Sequence, residues 1–141
     1  MHKKIVFPLE QDDDGYPPVN YERLWAEELP EGGFKVDNIP FFSREVALGD
    51  CIEATEEEGE LRFERLVEES ENSLIRVVYF DGTDPREIRR ELDQLGCKTE
   101  LDQDHTLIAV NVPKDVSLAA VQAFLATGGE RWDYEEAILR Q

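Results

Sequence analysis

The chain has little of what most catalytic and metal-binding sites are built from. Its 141 residues include only two cysteines, two histidines and one methionine. No Cys-x-x-Cys and no His-x-x-x-His pair occurs, so the spacing typical of a zinc site is missing. A glycine-rich phosphate loop is missing too, because Gly128 and Gly129 follow a predicted helix instead of preceding one. We therefore expect no metal ion, no cofactor and no catalytic residues.

Long apolar runs are also missing. No stretch approaches the roughly 18 apolar residues that a membrane-spanning helix needs. The apolar segment at residues 5–9 is too short for the core of a signal peptide, and Pro8 interrupts it. We therefore expect a cytoplasmic protein, in which Cys51 and Cys97 are reduced and unpaired. Acidic neighbours on both sides of Cys51 disfavour its thiolate, so this thiol is expected to be inert.

Basic residues are scarce compared with acidic ones. Thirty-three Asp and Glu stand against 15 Lys and Arg, which gives a formal net charge of -18. Most of the excess lies in residues 1–72, where the runs Asp12 to Asp14 and Glu56 to Glu58 occur. Such a surface repels nucleic acid and anionic membranes, so we expect neither as a partner. It attracts a basic protein, or it serves solubility alone.

Residues 73–141 show a regular succession of strands and helices. Four segments rich in β-branched or alternating apolar residues are predicted strands: 74–80, 97–102, 107–112 and 131–135. Asp84 and Ser117 are predicted N-caps of two helices, near 84–96 and 117–127. The order strand, helix, strand, strand, helix, strand predicts a ferredoxin-like (split βαβ) half, with an antiparallel four-stranded sheet and both helices on one face.

Residues 1–72 consist of short predicted strands divided by turn residues. The predicted strands are 4–9, 21–29, 34–39, 51–55 and 61–67. The segment 21–29 also fits a helical pattern, and the hairpin-like loop after it favours a strand. Four or five antiparallel strands with polar tips predict a small antiparallel β-barrel or a curled sheet.

The predicted fold class is therefore α+β, with two subdomains. Residues 1–72 form an acidic β-rich subdomain and residues 73–141 a ferredoxin-like subdomain, each of which is small for a core of its own. Two helices cover only one face of the second sheet, and its other face is also apolar. We expect the two subdomains to pack into one compact unit; a second copy of the chain is the alternative cover, and would make a homo-oligomer.

Three stretches of sequence resemble a known family. "YERLWAEEL", "VDNIPFFSREVALGD" and "LRFERLVEES" are similar to a bacterial family of small proteins classed as a domain of unknown function. The resemblance covers most of the chain. It implies a shared structure and no activity, because no activity is established for that family.

Three polar features each have a chemical and a structural interpretation. The run Asp12 to Asp14 precedes Gly15 but lacks the alternating carboxylates of a calcium loop, which favours an exposed turn. Asp50 follows a glycine, which favours a turn supported by its side chain. His105 stands next to Asp104, but neighbours in an extended segment point apart, so no catalytic triad is inferred.

Aromatic residues lie among the acidic runs, where they form either a core or a recognition surface. Phe41 and Phe42 follow Pro40 and cannot both point inward from an extended segment, so one of them is expected to line a groove or an interface. The candidate partner-binding residues are Trp25, Phe41, Phe42, Glu56, Glu57 and Glu58.

These features favour a non-catalytic, acidic protein-binding module. It would act as an inhibitor or immunity-type protein for a basic, nucleic-acid-binding partner, presenting carboxylates where phosphates would lie. The alternative hypothesis is a small-molecule-sensing regulatory domain that binds a metabolite at a cleft between subdomains or between copies. An enzyme ranks third.

Overall fold

Two separate β-sheets organise the chain. In the computed structural model, which describes residues 1–141, five strands form a closed barrel and four form a second sheet. The barrel lies in a first unit, Met1–Ser70, and the second sheet with its two helices lies in a second unit, Glu71–Gln141.

The barrel strands follow one another around the barrel in chain order. They are β1 (His2–Pro8), β2 (Tyr21–Glu28), β3 (Phe34–Val36), β4 (Cys51–Glu57) and β5 (Glu60–Glu68). Successive strands pair antiparallel, whereas β1 and β5 close the barrel in parallel, with Ile5 beside Leu61. The prediction of a purely antiparallel barrel or curled sheet is therefore corrected.

Side-chain alternation explains why residues 21–28 form a strand and not a helix. Glu22, Leu24 and Ala26 are buried, while Tyr21 and Trp25 on the opposite side are exposed. A period of two matches a strand with one face in a core. The barrel core is formed by apolar residues from four strands and one loop: Ile5, Phe7, Leu24, Ala26, Val36, Val46 and Ile52.

The second unit has six elements in the predicted order. They are β6 (Ser73–Tyr79), α1 (Pro85–Gln94), β7 (Lys98–Asp102), β8 (Leu107–Val112), α2 (Leu118–Leu125) and β9 (Trp132–Ile138). The strands lie side by side as β7, β8, β6, β9, and every neighbouring pair is antiparallel. The predicted four-stranded antiparallel sheet is confirmed.

Both helices begin at the predicted caps. The Asp84 carboxylate accepts a hydrogen bond from the Arg86 N–H at 2.9 Å, and the Ser117 hydroxyl accepts one from the Ala120 N–H at 3.1 Å. Their apolar sides share one core with β6 and β8, so both helices cover the same sheet face. Neither helix has the length and apolar character that crossing a bilayer requires.

The predicted fold class is wrong. Strands hold 42% of the residues, and helices, with the short 3-10 helix Gln103–His105 included, only 15%, so the chain is mostly β, with a closed barrel and a second sheet, and not α+β with a ferredoxin-like half. The two helices have 10 and 8 residues, shorter than the segments predicted for them. The strands β4, β5 and β9 are longer than predicted, because their polar residues stay paired with neighbouring strands.

Candidate functional site

Acidic side chains concentrate on the hairpin formed by β4 and β5. Residues 51–69, called the acidic hairpin below, contain eight glutamates and two arginines. Seven of these glutamates are exposed, and only Glu53 is half-buried. The hairpin therefore presents a strongly negative surface on two paired strands.

The tip of the acidic hairpin is a tight two-residue turn. Glu57 pairs with Glu60, and the two residues between them have positive φ angles, 50° at Glu58 and 83° at Gly59. Two positive φ angles define the type I′ turn, whose twist matches that of the flanking strands. The turn therefore carries the predicted candidates Glu56, Glu57 and Glu58 into solvent at a fixed position.

The two arginines of the acidic hairpin are already engaged within it. Arg65 donates two hydrogen bonds to Glu53, at 3.0 and 2.7 Å, and Arg62 lies 3.3 Å from a carboxylate oxygen of Glu57. Such exposed pairs contribute little to stability. They leave Glu56 and Glu58 with no cation of their own in the structure, so the tip retains most of its negative charge.

Trp25 lies on the outer face of the barrel, on β2. Strand β1 lies between β2 and the β5 strand of the acidic hairpin. Trp25 is 43% exposed and pairs with Lys4 of β1, whose Nζ lies 5.1 Å from the centroid of the indole ring. This distance is that of a cation–π contact. The face of the Trp25 ring is therefore a place where a cation binds.

Arg23 connects the same outer face to the hairpin tip. Its guanidinium stacks 4.6 Å from the Tyr21 ring centroid and lies 3.5 Å from Glu60. Interaction with the Tyr21 hydroxyl is the main cause that raises the pKa of Arg23 above its usual value, with Glu60 adding to it. Trp25 and the hairpin tip therefore belong to one continuous surface, joined through Lys4 and Arg23.

Phe41 and Phe42 lie in the loop between β3 and β4, and a buried carboxylate holds that loop. Glu22, only 8% exposed, accepts hydrogen bonds from the backbone N–H groups of Phe41, Phe42 and Ser43 at 2.6, 3.2 and 3.0 Å. Phe42 is buried and Phe41 is half-buried. The loop is thus fixed from the inner side of β2, whereas Trp25 points outward from the same strand.

Phe42 forms one wall of a cleft with a volume of about 570 Å³. Tyr16 lies next to it in the lining, and its ring meets that of Phe42 edge to face with the centroids 6.4 Å apart. This Tyr16–Phe42 cleft is lined further by Pro8, Leu9 and Pro17. The structure thereby places an aromatic pair and two prolines around one opening.

The aspartate run of the first unit is a turn that positions Tyr16. The Asp12 carboxylate accepts hydrogen bonds from the N–H groups of Asp14 and Tyr16, both at 2.9 Å, and the Asp12 N–H donates to the Tyr16 carbonyl at 2.7 Å. The interpretation of this run as an exposed acidic turn is confirmed. No group of three or more His, Cys, Asp or Glu side chains is arranged to hold a metal ion.

Asp50 has a structural role. It is fully buried, and its carboxylate accepts hydrogen bonds from the N–H groups of Ala47 at 2.9 Å and Ser70 at 2.8 Å. The predicted side-chain-supported turn at Asp50 is confirmed.

His105 and the two cysteines have different surroundings. His105 contacts Asp102, three residues before it, at 2.7 Å. Both cysteines are free thiols; Cys97 is buried, and this burial raises the pKa of its thiol from 9.0 to about 11. A thiol with so high a pKa is a poor nucleophile at neutral pH.

Sequence reasoning found the acidic tip and Trp25 but missed the residues that support them. Glu22 was missed, although alternation along β2 places it on the same side as Leu24 and would have revealed an inward-pointing carboxylate. Lys4 was missed because only the pairing of β1 with β2 brings it to Trp25. That pairing is a long-range property that a local pattern does not contain.

Comparison with known proteins gives one family and one fold. A family model described as "Domain of unknown function (DUF4265)" matches residues 22–134. No curated protein matches the chain. A solved structure described as a hypothetical protein from Neisseria gonorrhoeae is 24% identical, with a TM-score of 0.82, and the match covers 100% of this chain and 97% of that one. This likeness shows the fold.

Proposed function

The chain belongs to the DUF4265 family, whose function is unknown, and from this premise we propose that it is a non-catalytic protein-binding module for a basic partner. The partner is a nuclease or another nucleic-acid-binding protein, and the acidic hairpin covers the surface with which that partner binds phosphates. The observation that carries the proposal is the exposure of seven glutamates on one hairpin that has only two arginines, both in ion pairs.

The charge of the hairpin suits a surface that normally binds a phosphate backbone. Glu60 and Glu64 of β5 are exposed with the exposed Arg62 between them, and the ladder between β4 and β5 skips Glu64. Because the exposed glutamates of the hairpin outnumber its arginines, its surface is electrostatically complementary to a basic groove. Because the turn and both strands are paired, the backbone loses little conformational freedom on binding, while each glutamate side chain that becomes fixed still loses rotamer entropy.

Trp25 supports the proposal as an apolar contact near this charge. Aromatic residues with exposed faces are common among the side chains that dominate protein interfaces. Lys4 already shows that the ring face accepts a cation, so a lysine or arginine of the partner would replace Lys4 there. Charge would then guide association, and Trp25 would slow dissociation.

The test compares the wild type with the variant E56Q/E57Q/E58Q. Each is immobilised and exposed to a bacterial lysate at about 50 mM salt, and basic proteins retained by the wild type but not by the variant are purified. Association rates are then measured at about 50 mM and about 1 M salt, where the screening length falls to about 3 Å. We expect the triple change and the high salt each to slow association at least tenfold.

A matched control separates the hairpin from net charge. The variant E91Q/D93N/E130Q removes the same number of exposed negative charges from the second unit, and it should bind the partner like the wild type. The Trp25→Ala variant should mainly increase the dissociation rate. A purified partner that binds equally well at both salt concentrations, or that loses affinity equally in both triple variants, would contradict the proposal.

A further inference from the structure

The Tyr16–Phe42 cleft is lined by residues that lie outside the acidic hairpin. Its volume of about 570 Å³ falls within the range of roughly 300–1,000 Å³ that is typical of ligand-binding clefts. All its lining residues come from the first unit, and none belongs to residues 51–69. Occupancy of the cleft is therefore testable separately from binding at the hairpin.

The walls of the cleft have the composition of a groove that binds extended peptides. The Tyr16 ring stands edge to face on the buried Phe42 ring, Pro8 extends the exposed apolar surface beside it, and Pro17 is buried. Grooves lined by aromatic residues bind proline-rich segments in the polyproline II conformation, because such segments are already extended and lose little entropy on binding. The Tyr16 ring is 38% exposed and thus accessible to such a segment.

Both aromatic walls are held from behind before any ligand arrives. The Asp12 carboxylate fixes the backbone of Tyr16, and the buried Glu22 carboxylate fixes the backbone of Phe42. Burying a carboxylate is costly unless it is fully hydrogen-bonded, and Glu22 meets this condition only by accepting bonds from the loop that carries Phe42. A cleft fixed in this way loses little conformational entropy when a ligand binds.

The rim of the cleft selects the charge of its occupant. Glu10, Asp12 and Glu45 line it and are exposed, against the single arginine Arg44. An acidic rim next to an aromatic–proline floor is complementary to a segment that has basic residues beside its prolines. It disfavours an acidic peptide or a phosphate.

We propose that the Tyr16–Phe42 cleft binds a short, extended peptide segment that contains prolines with lysine or arginine next to them. The Tyr16 ring and Pro8 contact the prolines, with the buried Phe42 and Pro17 supporting them, while the rim carboxylates bind the basic side chain. The proposal goes beyond the module's acidic hairpin and does not depend on it.

The test is an NMR titration of the isotope-labelled chain with acetylated, amidated peptides of nine residues. The panel carries a Pro-x-x-Pro core with arginine on one side or the other, together with matched peptides in which the prolines are alanine or the arginine is glutamate. We expect saturable shifts at the Tyr16 and Phe42 amides for an arginine-containing member. Affinity should fall at least tenfold for both matched peptides.

Protein variants locate the site. Tyr16→Ala should weaken binding at least tenfold while the amide spectrum elsewhere stays unchanged, and Glu45→Lys should weaken it with no loss of fold because Glu45 is exposed. E56Q/E57Q/E58Q should bind the peptide like the wild type. A failure of the hairpin proposal is therefore distinguishable from a failure of the cleft proposal.

Three results would overturn the inference. One is the absence of saturable shifts with every peptide of the panel. Another is shifts that map to the acidic hairpin, or alanine peptides that bind as tightly as proline peptides. Either result would mean that charge attraction alone causes the binding. The third is equal affinity for arginine amide or tetramethylammonium, which would identify a site for a small organic cation.

Discussion

Glu22 is a buried carboxylate that connects two parts of the first unit. It lies among apolar neighbours on the inner side of β2, yet its two carboxylate oxygens accept three backbone N–H groups in succession. A carboxylate in such surroundings is stable only because those donors replace water. Glu22 therefore joins the barrel to the loop that carries Phe41 and Phe42.

Replacing Glu22 with alanine should destabilise the protein strongly. The change leaves the three N–H groups without their acceptor, and we expect the free energy of unfolding to fall by about 2–4 kcal/mol. Glu22→Gln keeps one acceptor oxygen and should lose less. Urea denaturation measures both, and Glu64→Ala on the exposed side of β5 is the control, expected to change stability by less than about 0.5 kcal/mol. Equal losses for Glu22→Ala and Glu64→Ala would show that the loop is held by other contacts.

Burial of the Cys97 thiol makes stability depend on pH in the alkaline range. Its pKa is raised from 9.0 to about 11, so the unfolded chain releases this proton before the folded one does. The contribution of this thiol to the free energy of unfolding is therefore fully present below pH 9. It is lost as the pH rises toward 11, by at most about 2–3 kcal/mol.

The measurement compares urea unfolding at pH 8 and pH 10.5 under reducing conditions. Cys97→Ala should lower stability at pH 8, because it leaves a small cavity, but should lose less between the two pH values than the wild type does. Cys51→Ala provides the matched control and should keep the wild-type slope. A Cys97→Ala slope equal to that of the wild type would show that other groups determine the alkaline loss.

At the scale of the element, the acidic hairpin combines a favourable turn type with an unfavourable residue. Gly59 accepts its positive φ without strain, but Glu58 adopts a φ of 50° with a side chain that disfavours it. Asn-Gly is the sequence that type I′ turns prefer. Glu58 therefore places a carboxylate at the tip but makes the turn less stable than asparagine would.

Glu58→Asn should therefore stabilise the first unit by about 0.5–1 kcal/mol. Glu57→Asn, one position earlier in β4, removes the same charge without relieving the backbone and should not stabilise. Thermal and urea denaturation of both variants test this. An increase of the same size in both would assign the effect to charge removal, and no increase in either would show that the turn is unstrained.

Local patterns were sufficient for the elements of the second unit. Asp84, Pro85 and Ser117 mark helix starts through interactions within a few residues, so the sequence itself contains the signal. The parallel closure of β1 on β5 was not predictable in this way, because it joins residues 5 and 61, which share no local pattern. The length of polar strands such as β5 was underestimated for a related reason: their partners, and not their composition, keep them extended.

The candidate site was predictable only in part. Glu56 to Glu58 follow directly from sequence, because a glutamate run next to glycine favours an exposed turn. Phe41 and Phe42 were identified as unusual, but their support by Glu22 depends on contacts across about 20 positions of chain. The Tyr16–Phe42 cleft depends on two such long-range placements at once, which no single segment indicates.

For the whole molecule, a net charge of -18 on 141 residues opposes the compact state through self-repulsion. Sodium chloride should therefore raise the melting temperature between about 20 mM and 0.5 M, by about 4 °C for each 1 kcal/mol of relieved repulsion. E56Q/E57Q/E58Q should melt higher than the wild type at low salt, and the difference should shrink at high salt. A melting temperature that falls with salt would show that ion pairs such as Arg65 with Glu53 outweigh the repulsion.

The parallel contact between β1 and β5 also sets the order in which the first unit acquires its structure during synthesis. The N-terminal strand leaves the ribosome first, but one of its edges has no partner until the strand beginning at Glu60 has been made. During that interval the growing sheet is open and exposes an edge to which other nascent chains can add. The last strand to arrive carries Glu60 and Glu64, and the acidic runs made before it keep neighbouring chains apart by repulsion. The same charge that we propose for binding a basic partner is therefore expected to reduce aggregation of the unfinished chain as well.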